Sequence, residues 1–215
     1  MFGIFRRAPA AARVETGATR LHVGCGQEAI DGWINIDSQP LRGVDRVLDV
    51  RGGLPFTGVS AIYAEHFIEH LGLEDALAFL AECRRVLAPE GVLRLSTPNL
   101  DWVLTTQYRW EGVTPADRVL YCMKLNRAFR AWGHQFLYNQ ETLAAALKNA
   151  GFARVSFHRY GESERPELRG LERHERWEEQ DGLLHVLVAE AWGAGSREPI
   201  AAGFLKEFRV TMDDR

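Results

Sequence analysis

Three groups of residues in this 215-residue chain have the types and spacing to do chemistry. The first is Gly24-Cys25-Gly26, followed by Asp37 at the end of a second short apolar run. Glycine accepts backbone angles and close approaches that side chains forbid, so a strand that ends on two glycines lets a ligand touch the main chain. An acidic side chain at the tip of the next strand can accept hydrogen bonds from ribose hydroxyls. Together they predict a nucleoside site. Gly24 to Ala29 also satisfies G-x-G-x-x-G/A literally, but a dinucleotide fold places its ribose acid about 20 residues on, whereas Asp37 follows Gly26 by 11. Glu28 would meet a pyrophosphate where a bare helix N-terminus is wanted. A ligand without phosphates fits better.

The second group, Glu65-His66 and Glu69-His70, follows a strand-like run directly. Ligands of open α/β sheets sit at the carboxyl ends of strands, which points His66 into the pocket as a candidate general base. If a helix begins at Glu65, Glu65/Glu69 and His66/His70 are i, i+4 pairs sharing its faces, and Glu69 and His70 then cap or solvate that helix. The same residues spell H-x-x-E-H, the inverted zinc-protease signature. A zinc enzyme needs a third ligand, and none is obvious in the sequence, so no metal is expected. The third group is His134 alone, a second candidate base, between an aromatic stretch and the last helical pattern. His22, on the first strand, reads as a half-buried structural histidine.

Elements that would position these groups alternate along the chain. Strand-like runs occur at 20–23, 33–37, 46–49, 61–64, 92–97, 153–160 and 183–189. Apolar residues at three- and four-residue intervals predict a helix over 74–87, ended by Pro89-Glu90-Gly91, and a second over 140–150 with Asn139 as N-cap and Gly151 beyond its end. The alternation predicts a doubly wound, Rossmann-like α/β sheet of about seven strands with helices on both faces. Residues 100 to 133, rich in Trp, Tyr and Arg, interrupt the rhythm and predict a helical cap that could form an aromatic wall for an acceptor. In 162–181, 12 of 20 residues are charged, which reads as a solvated segment, with Arg169 and His174 available to a substrate if it folds back. The tail from 193 has no assigned role.

Composition narrows the function classes. A net charge of -3, from 26 basic and 29 acidic residues, supplies no footprint for nucleic acid. Three cysteines without C-x-x-C spacing suggest neither a disulfide framework nor a thiolate cage, and fit a reducing cytoplasm. No run reaches the ~18 apolar residues of a membrane span, and the stretch 1–13 reads as a loose terminus rather than a secretory signal. At this length, with 46% hydrophobic residues, one domain is expected, with its core over about 19–99 and 134–192.

Several motifs in order resemble one family. Leu21-His22-Val23-Gly24-Cys25-Gly26, then Gly32-Trp33-Ile34-Asn35-Ile36-Asp37, Asp49 with Leu54-Pro55-Phe56, Ile62 to Leu71, Arg85 to Leu93, and Ser96-Thr97-Pro98-Asn99 are similar to the class I S-adenosylmethionine-dependent methyltransferases with a shortened first helix. His134-Gln135-Phe136, Thr142-Leu143 and Ala150-Gly151-Phe152 are similar to the region before that family's sixth strand. The resemblance implies a seven-stranded sheet with an antiparallel last strand, and S-adenosylmethionine as cofactor. It implies that Gly24, Cys25 and Gly26 line the cofactor backbone, Asp37 holds the ribose, Asp49 and Val50 approach the adenine, and Glu65 borders the cofactor. His22 stands where most members carry Asp or Glu, and Glu28 where most carry a third glycine. The activity implied is methyl transfer to a small or sugar-like acceptor, at oxygen, by His66 or His134, with a homodimer as one assembly. A non-catalytic nucleoside-binding module and a zinc hydrolase using His66-Phe67-Ile68-Glu69-His70 are the alternatives.

Overall fold

A computed structural model describes residues 19–173 and 182–200. The period-two alternation of Leu21-His22-Val23, Ala61-Ile62-Tyr63-Ala64 and Val92-Leu93-Arg94-Leu95 becomes the two faces of one seven-stranded sheet. Its strands are β1 (Arg20–Val23), β2 (Ile34–Asp37), β3 (Arg46–Val47), β4 (Val59–Glu65), β5 (Leu87–Pro98), β6 (Phe152–His158) and β7 (Val186–Ala194). They lie in the order β3-β2-β1-β4-β5-β7-β6. Strands β1 to β5 are parallel, and β7 runs antiparallel to both β5 and β6. The winding reverses between β1 and β4, so a crevice opens there at the carboxyl ends.

Among the described residues four α-helices accompany the sheet: α1 (Leu73–Val86), α2 (Leu100–Gln107), α3 (Pro115–Arg130) and α4 (Gln140–Asn149). In α1 the acids Glu74 and Asp75 lie in the first turn and Arg84 and Arg85 in the last, matching the helix dipole. Asn139 accepts from the Thr142 amide to start α4, and Gly151, at φ 92, follows its end. The chain leaves α1 at Val86 and passes straight into β5, where a β-carbon on Gly91 would stand 2.6 Å from the Val59 carbonyl oxygen.

Apolar residues of α1 and α4, among them Phe79, Leu80, Leu143 and Leu147, pack on the sheet face that carries Leu21, Ile62 and Leu93. The expectation of helices on both faces is met on this one. On the opposite face the apolar cluster of Ile30, Trp33, Ala61, Tyr63, Val92 and Leu168 includes no α-helical residue among those described. Part of its cover comes from Leu168 and Leu171 of the highly charged segment, so within residues 162–173 the reading as solvated holds only in part, while 174–181 lie outside the described residues. Arg94, wholly buried on β5, bonds Glu172 through Nε (2.7 Å) and Nη2 (3.0 Å), and Glu190 of β7 through Nη1 (2.6 Å). A buried guanidinium requires carboxylate partners. Its cross-strand neighbour Glu190 supplies one, and Glu172 is drawn from solvent to supply the other.

The helix from Glu65 on which the i, i+4 pairing depended does not form. Strand β4 runs through Glu65, His66 turns with φ 46, and residues Ile68–His70 form a single 3-10 turn before α1. Glu65/Glu69 and His66/His70 therefore share no helix face.

The interruption after Asn99 is the helical cap. Asn99 and Tyr138 form an isolated parallel bridge, and the Leu100 amide donates to the Tyr138 carbonyl at 2.8 Å, so the two ends of the insertion meet. Thr114 and Asp117 form a capping box that starts α3, whose side chains are nowhere buried. No helix among the described residues is long and apolar enough to cross a membrane. The start of the tail lies along α4, with the Asn149 amide donating to the Glu198 carbonyl. The terminal stretch 1–13, His174 and residues 201–215 lie outside the described residues.

Candidate functional site

At the crevice between β1 and β4, a cavity of about 260 Å³ is lined by Gly24, Asp37, Asp49, Val50, Phe67 and His70, together with Leu48 and Gln135. A larger and shallower space, about 650 Å³, lies beside Leu87, Ala194 and Arg197. That space is at the amino end of β5, whereas ligands of open α/β sheets bind at the carboxyl ends. The smaller cavity is the candidate site. Its volume lies somewhat below the about 300–1,000 Å³ of typical ligand clefts, a size for the nucleoside part of a ligand.

Its walls follow from local backbone geometry. Gly24 (φ 67) and Gly26 (φ 53) make the turn after β1 in the left-handed region. A β-carbon on Gly24 would collide with the Phe67 ring, so glycine here lets Phe67 close one side of the cavity. The Gly26 amide donates to Asp37 Oδ2 and the Gln39 amide to Oδ1, each at 2.9 Å. These bonds fix the carboxylate at the tip of β2, and each oxygen retains accepting capacity. Asp49 caps the 3-10 turn of Val50–Gly52 and is gripped by Arg51, with Nη2 to Oδ2 at 2.6 Å. That hydrogen bond holds the Asp49 carboxyl below its ordinary pKa despite some burial.

The predicted cofactor residues divide. Gly24, Asp37, Asp49 and Val50 meet in the cavity, and Gly26 supports it through Asp37. Cys25 is buried away from the lining; burial, and then the Asp37 charge, push its thiol up to about 11. Glu65 accepts the Arg173 amide through both oxygens, at 3.0 and 3.1 Å, and so holds the covering segment rather than lining the cavity. Arg169 is likewise occupied with the Ser163 carbonyl. His22, buried beside Asn35 at 3.2 Å, is a structural histidine as expected, its pKa lowered by burial.

The two candidate bases lie in different surroundings. His66 immediately precedes Phe67, and its Nδ1 sits 3.0 Å from Oε1 of Glu69. Glu69 is entirely buried and accepts from Thr97 Oγ1 through its other oxygen at 3.0 Å. His185 is near enough to His66 for charge repulsion to be felt; burial first, and then His66, lower its pKa to about 4. The His185 ring meets Trp102 of α2 edge-on at 4.2 Å, so the cap borders this side. His134 instead holds the Ala128 carbonyl oxygen 2.8 Å from its Nδ1, with its ring 5.2 Å from that of His70. Glu69, His70 and His134 thus come together.

Sequence reasoning missed Phe67, His70 and Gln135 as lining residues. Phe67 had a signal in its place just beyond the strand end. Gln135 had none, because it is positioned by a long-range contact, its amide donating to the Glu69 carbonyl at 2.7 Å.

A family profile described as a methyltransferase domain matches residues 7–156. Among solved structures, an S-adenosylmethionine-dependent methyltransferase from Archaeoglobus fulgidus superposes with a TM-score of 0.53 at 17% identity, over 82% of this chain and 86% of that one. A possible exported protein from Bordetella parapertussis gives 0.51 at 15% identity, over 82% of this chain and 62% of its own. The methyltransferase SibL in its apo form gives 0.50 at 13% identity, over 83% and 51%. The chain thus spans less than two thirds of the last two. No curated protein matches it in sequence.

Proposed function

The chain belongs to the class I S-adenosylmethionine-dependent methyltransferase family, and from that membership we propose that it transfers a methyl group from S-adenosylmethionine to an oxygen of a small or sugar-like acceptor. The observation that carries this reading is the meeting of Gly24, Asp37, Asp49 and Val50 in one cavity at the switch point of the sheet. The residues suit the cofactor: a bare glycine turn for close approach, a fixed carboxylate for the ribose diol, and an acid and an apolar residue for the adenine edge.

S-adenosylmethionine supplies an electrophilic methyl on a sulfonium, and attack on that methyl by a neutral oxygen expels a neutral thioether, which removes charge from sulfur. The protein then has chiefly to align the reactants and exclude water. Asp37 accepts the ribose hydroxyls and sets the depth of the nucleoside. Phe67 walls the cavity against solvent. With the cofactor bound, His66 would take the acceptor's proton at Nε2, while Glu69 orients the ring from Nδ1. The left-handed backbone of His66, at φ 46, is uncommon for a non-glycine residue and supports a functional constraint at that point. Neither histidine lines the cavity itself; His66 is assigned this role in preference to His134 because it directly precedes the lining residue Phe67 and its Nδ1 is held by the buried Glu69, whereas His134 is held by a backbone carbonyl in the cap.

Trp102 and His185 would form part of the acceptor wall. A homodimer through the cap belongs to the same reading, supported by the exposed Val119, Leu120 and Met123 of α3, as does a cytoplasmic setting for the three free cysteines. The deciding experiment is calorimetric titration of the protein with S-adenosylmethionine, S-adenosylhomocysteine and NAD, with Asp37→Ala in parallel. Micromolar binding of the sulfur nucleosides, lost in the variant and absent for NAD, supports the proposal. No binding of either overturns it.

A further inference from the structure

We propose that Glu69, His70 and His134 form a site for one divalent transition cation of the zinc class. A ligating atom from each residue lies within 4.8 Å of the others. Ligands about 2.0–2.2 Å from a common ion stand closer together than that, so a contraction of about an ångström completes the set. Two ring nitrogens and one carboxylate oxygen favour zinc, cobalt or ferrous iron over magnesium or calcium, which prefer oxygen ligands.

The third ligand is invisible in the H-x-x-E-H spacing because backbone bonds far apart in sequence deliver it. The amides of Gln135 and Phe136 both donate to the Glu69 carbonyl, at 2.7 and 3.2 Å, and Gln135 Nε2 donates to the His70 carbonyl at 2.6 Å. These bonds seat the segment after the cap against the 3-10 turn that carries Glu69 and His70. The motif is therefore used differently from an inverted zinc-protease site. His66 stands behind Glu69 as its hydrogen-bond partner and is not a ligand.

Outer partners are already in place. A carbonyl oxygen can only accept, so the 2.8 Å contact to Ala128 places the proton on His134 Nδ1 and leaves the lone pair on Nε2. Metal-bound histidines are commonly held this way, through the second nitrogen. The Glu69 carboxylate is oriented by Thr97 on one oxygen and His66 on the other. It is also a wholly buried acid whose hydrogen bonds come from a hydroxyl and an imidazole, with no Lys or Arg among the partners shown. A buried carboxylate calls for positive charge, and a dication here supplies it. Because His70 lines the candidate cavity, the ion has an entry path from it. Once bound, it would join the end of the cap to the cavity wall.

The test uses the full chain, stripped of metal with chelator, and reads metal alone, so it stands or falls separately from methyl transfer. Zinc(II) is titrated by calorimetry, and cobalt(II) by its visible absorption. One equivalent binding at micromolar affinity or tighter, with cobalt bands of four- or five-coordinate intensity, is the expected result. His134→Ala and His70→Ala should each weaken zinc binding at least tenfold and abolish the zinc-dependent rise in melting temperature, while metal-free circular dichroism stays that of the parent. No stoichiometric binding by the parent, binding that survives both substitutions, or equal binding of magnesium would overturn the proposal.

Discussion

Arg94 and Glu172 sit 78 positions apart in sequence and form a two-pronged ion pair, at 2.7 and 3.0 Å, with both side chains fully buried. Burial opposes the charge on Arg94, but hydrogen bonds to Glu172 and Glu190 outweigh it and hold its pKa above the ordinary value. The pair fastens the 161–173 segment to a sheet face that α1 and α4 do not cover. Breaking a buried pair by removing one partner costs about 3–5 kcal/mol. Arg94→Met, which takes the guanidinium from both carboxylates and leaves Glu172 with the Gly161 amide and Glu190 with Ser163 and His158, should lower the urea unfolding free energy by that order. A loss of under about 1 kcal/mol, the level of a surface pair, would show that the segment is not fastened as described.

Gly24 tests the fit of the cofactor turn. Gly24→Ala meets both the Phe67 ring and a left-handed backbone, which costs a non-glycine residue roughly 1–2 kcal/mol. Affinity for S-adenosylhomocysteine, measured calorimetrically, should fall in the single variant and recover in part in Gly24→Ala/Phe67→Ala. The second change removes the collision and leaves the backbone strain. Full recovery would assign the whole effect to the ring, and no recovery would assign it to the backbone alone.

Asp37 offers an isosteric test. Asp37→Asn retains one accepting oxygen but loses the charge that strengthens ribose hydrogen bonds, each worth about 1.5–3 kcal/mol. A rise of about 10- to 100-fold in the dissociation constant for S-adenosylmethionine is expected. Asn binding as tightly as Asp would remove the ribose role.

His66 should separate binding from turnover. His66→Gln is expected to reduce kcat on an oxygen acceptor by about 10²–10⁴, with S-adenosylhomocysteine affinity within a few-fold of the parent. The same substitution at His134 should leave kcat on the parent scale when the metal-free protein is assayed. Equal losses at both positions would contradict the assignment of the base.

Acid stability follows from two histidines held neutral in the fold. Burial lowers the pKa of His22, and burial together with His66 lowers that of His185 to about 4. Below the unfolded value of about 6.5, the unfolded chain binds protons that the folded chain does not. Stability is therefore undiminished above that pH, falls as pH drops toward 4, and levels off once the folded groups are protonated. Denaturant midpoints at pH 7.0, 5.5 and 4.5 should decline in that order, and His185→Gln should flatten the decline.

Much of the sheet was legible because strands repeat every two residues and helices every three or four, and both periods are local. The places of Gly24, Gly26 and Asp37 were legible for the same reason, since they depend on one turn and one strand tip. The backbone after β4 was not. A helix from Glu65 agrees with every local spacing, but the β4–β5 ladder continues through the His66 amide, which donates to the Ser96 carbonyl at 2.9 Å, and His66 then enters the left-handed region before a single turn leads to α1. Glu172 was hidden too. It is one of many acids in a highly charged stretch, and only Arg94, on a distant strand, distinguishes it. The resemblance set Glu65 beside the cofactor, and nothing local revealed that its two oxygens would also receive the Arg173 amide.

The bridge between Asn99 and Tyr138 makes the intervening cap a detachable part in an architectural sense. Because its two ends already lie side by side, its length and sequence can vary with little change in the chain-closure entropy borne by the sheet. Nucleoside recognition, built on β1 and β2, is then separable from whatever the cap selects. Grafting within residues 100–133, which leaves Gln135 in the cavity wall and its bond to Glu69 in place, becomes a route to new acceptors on the same cofactor platform.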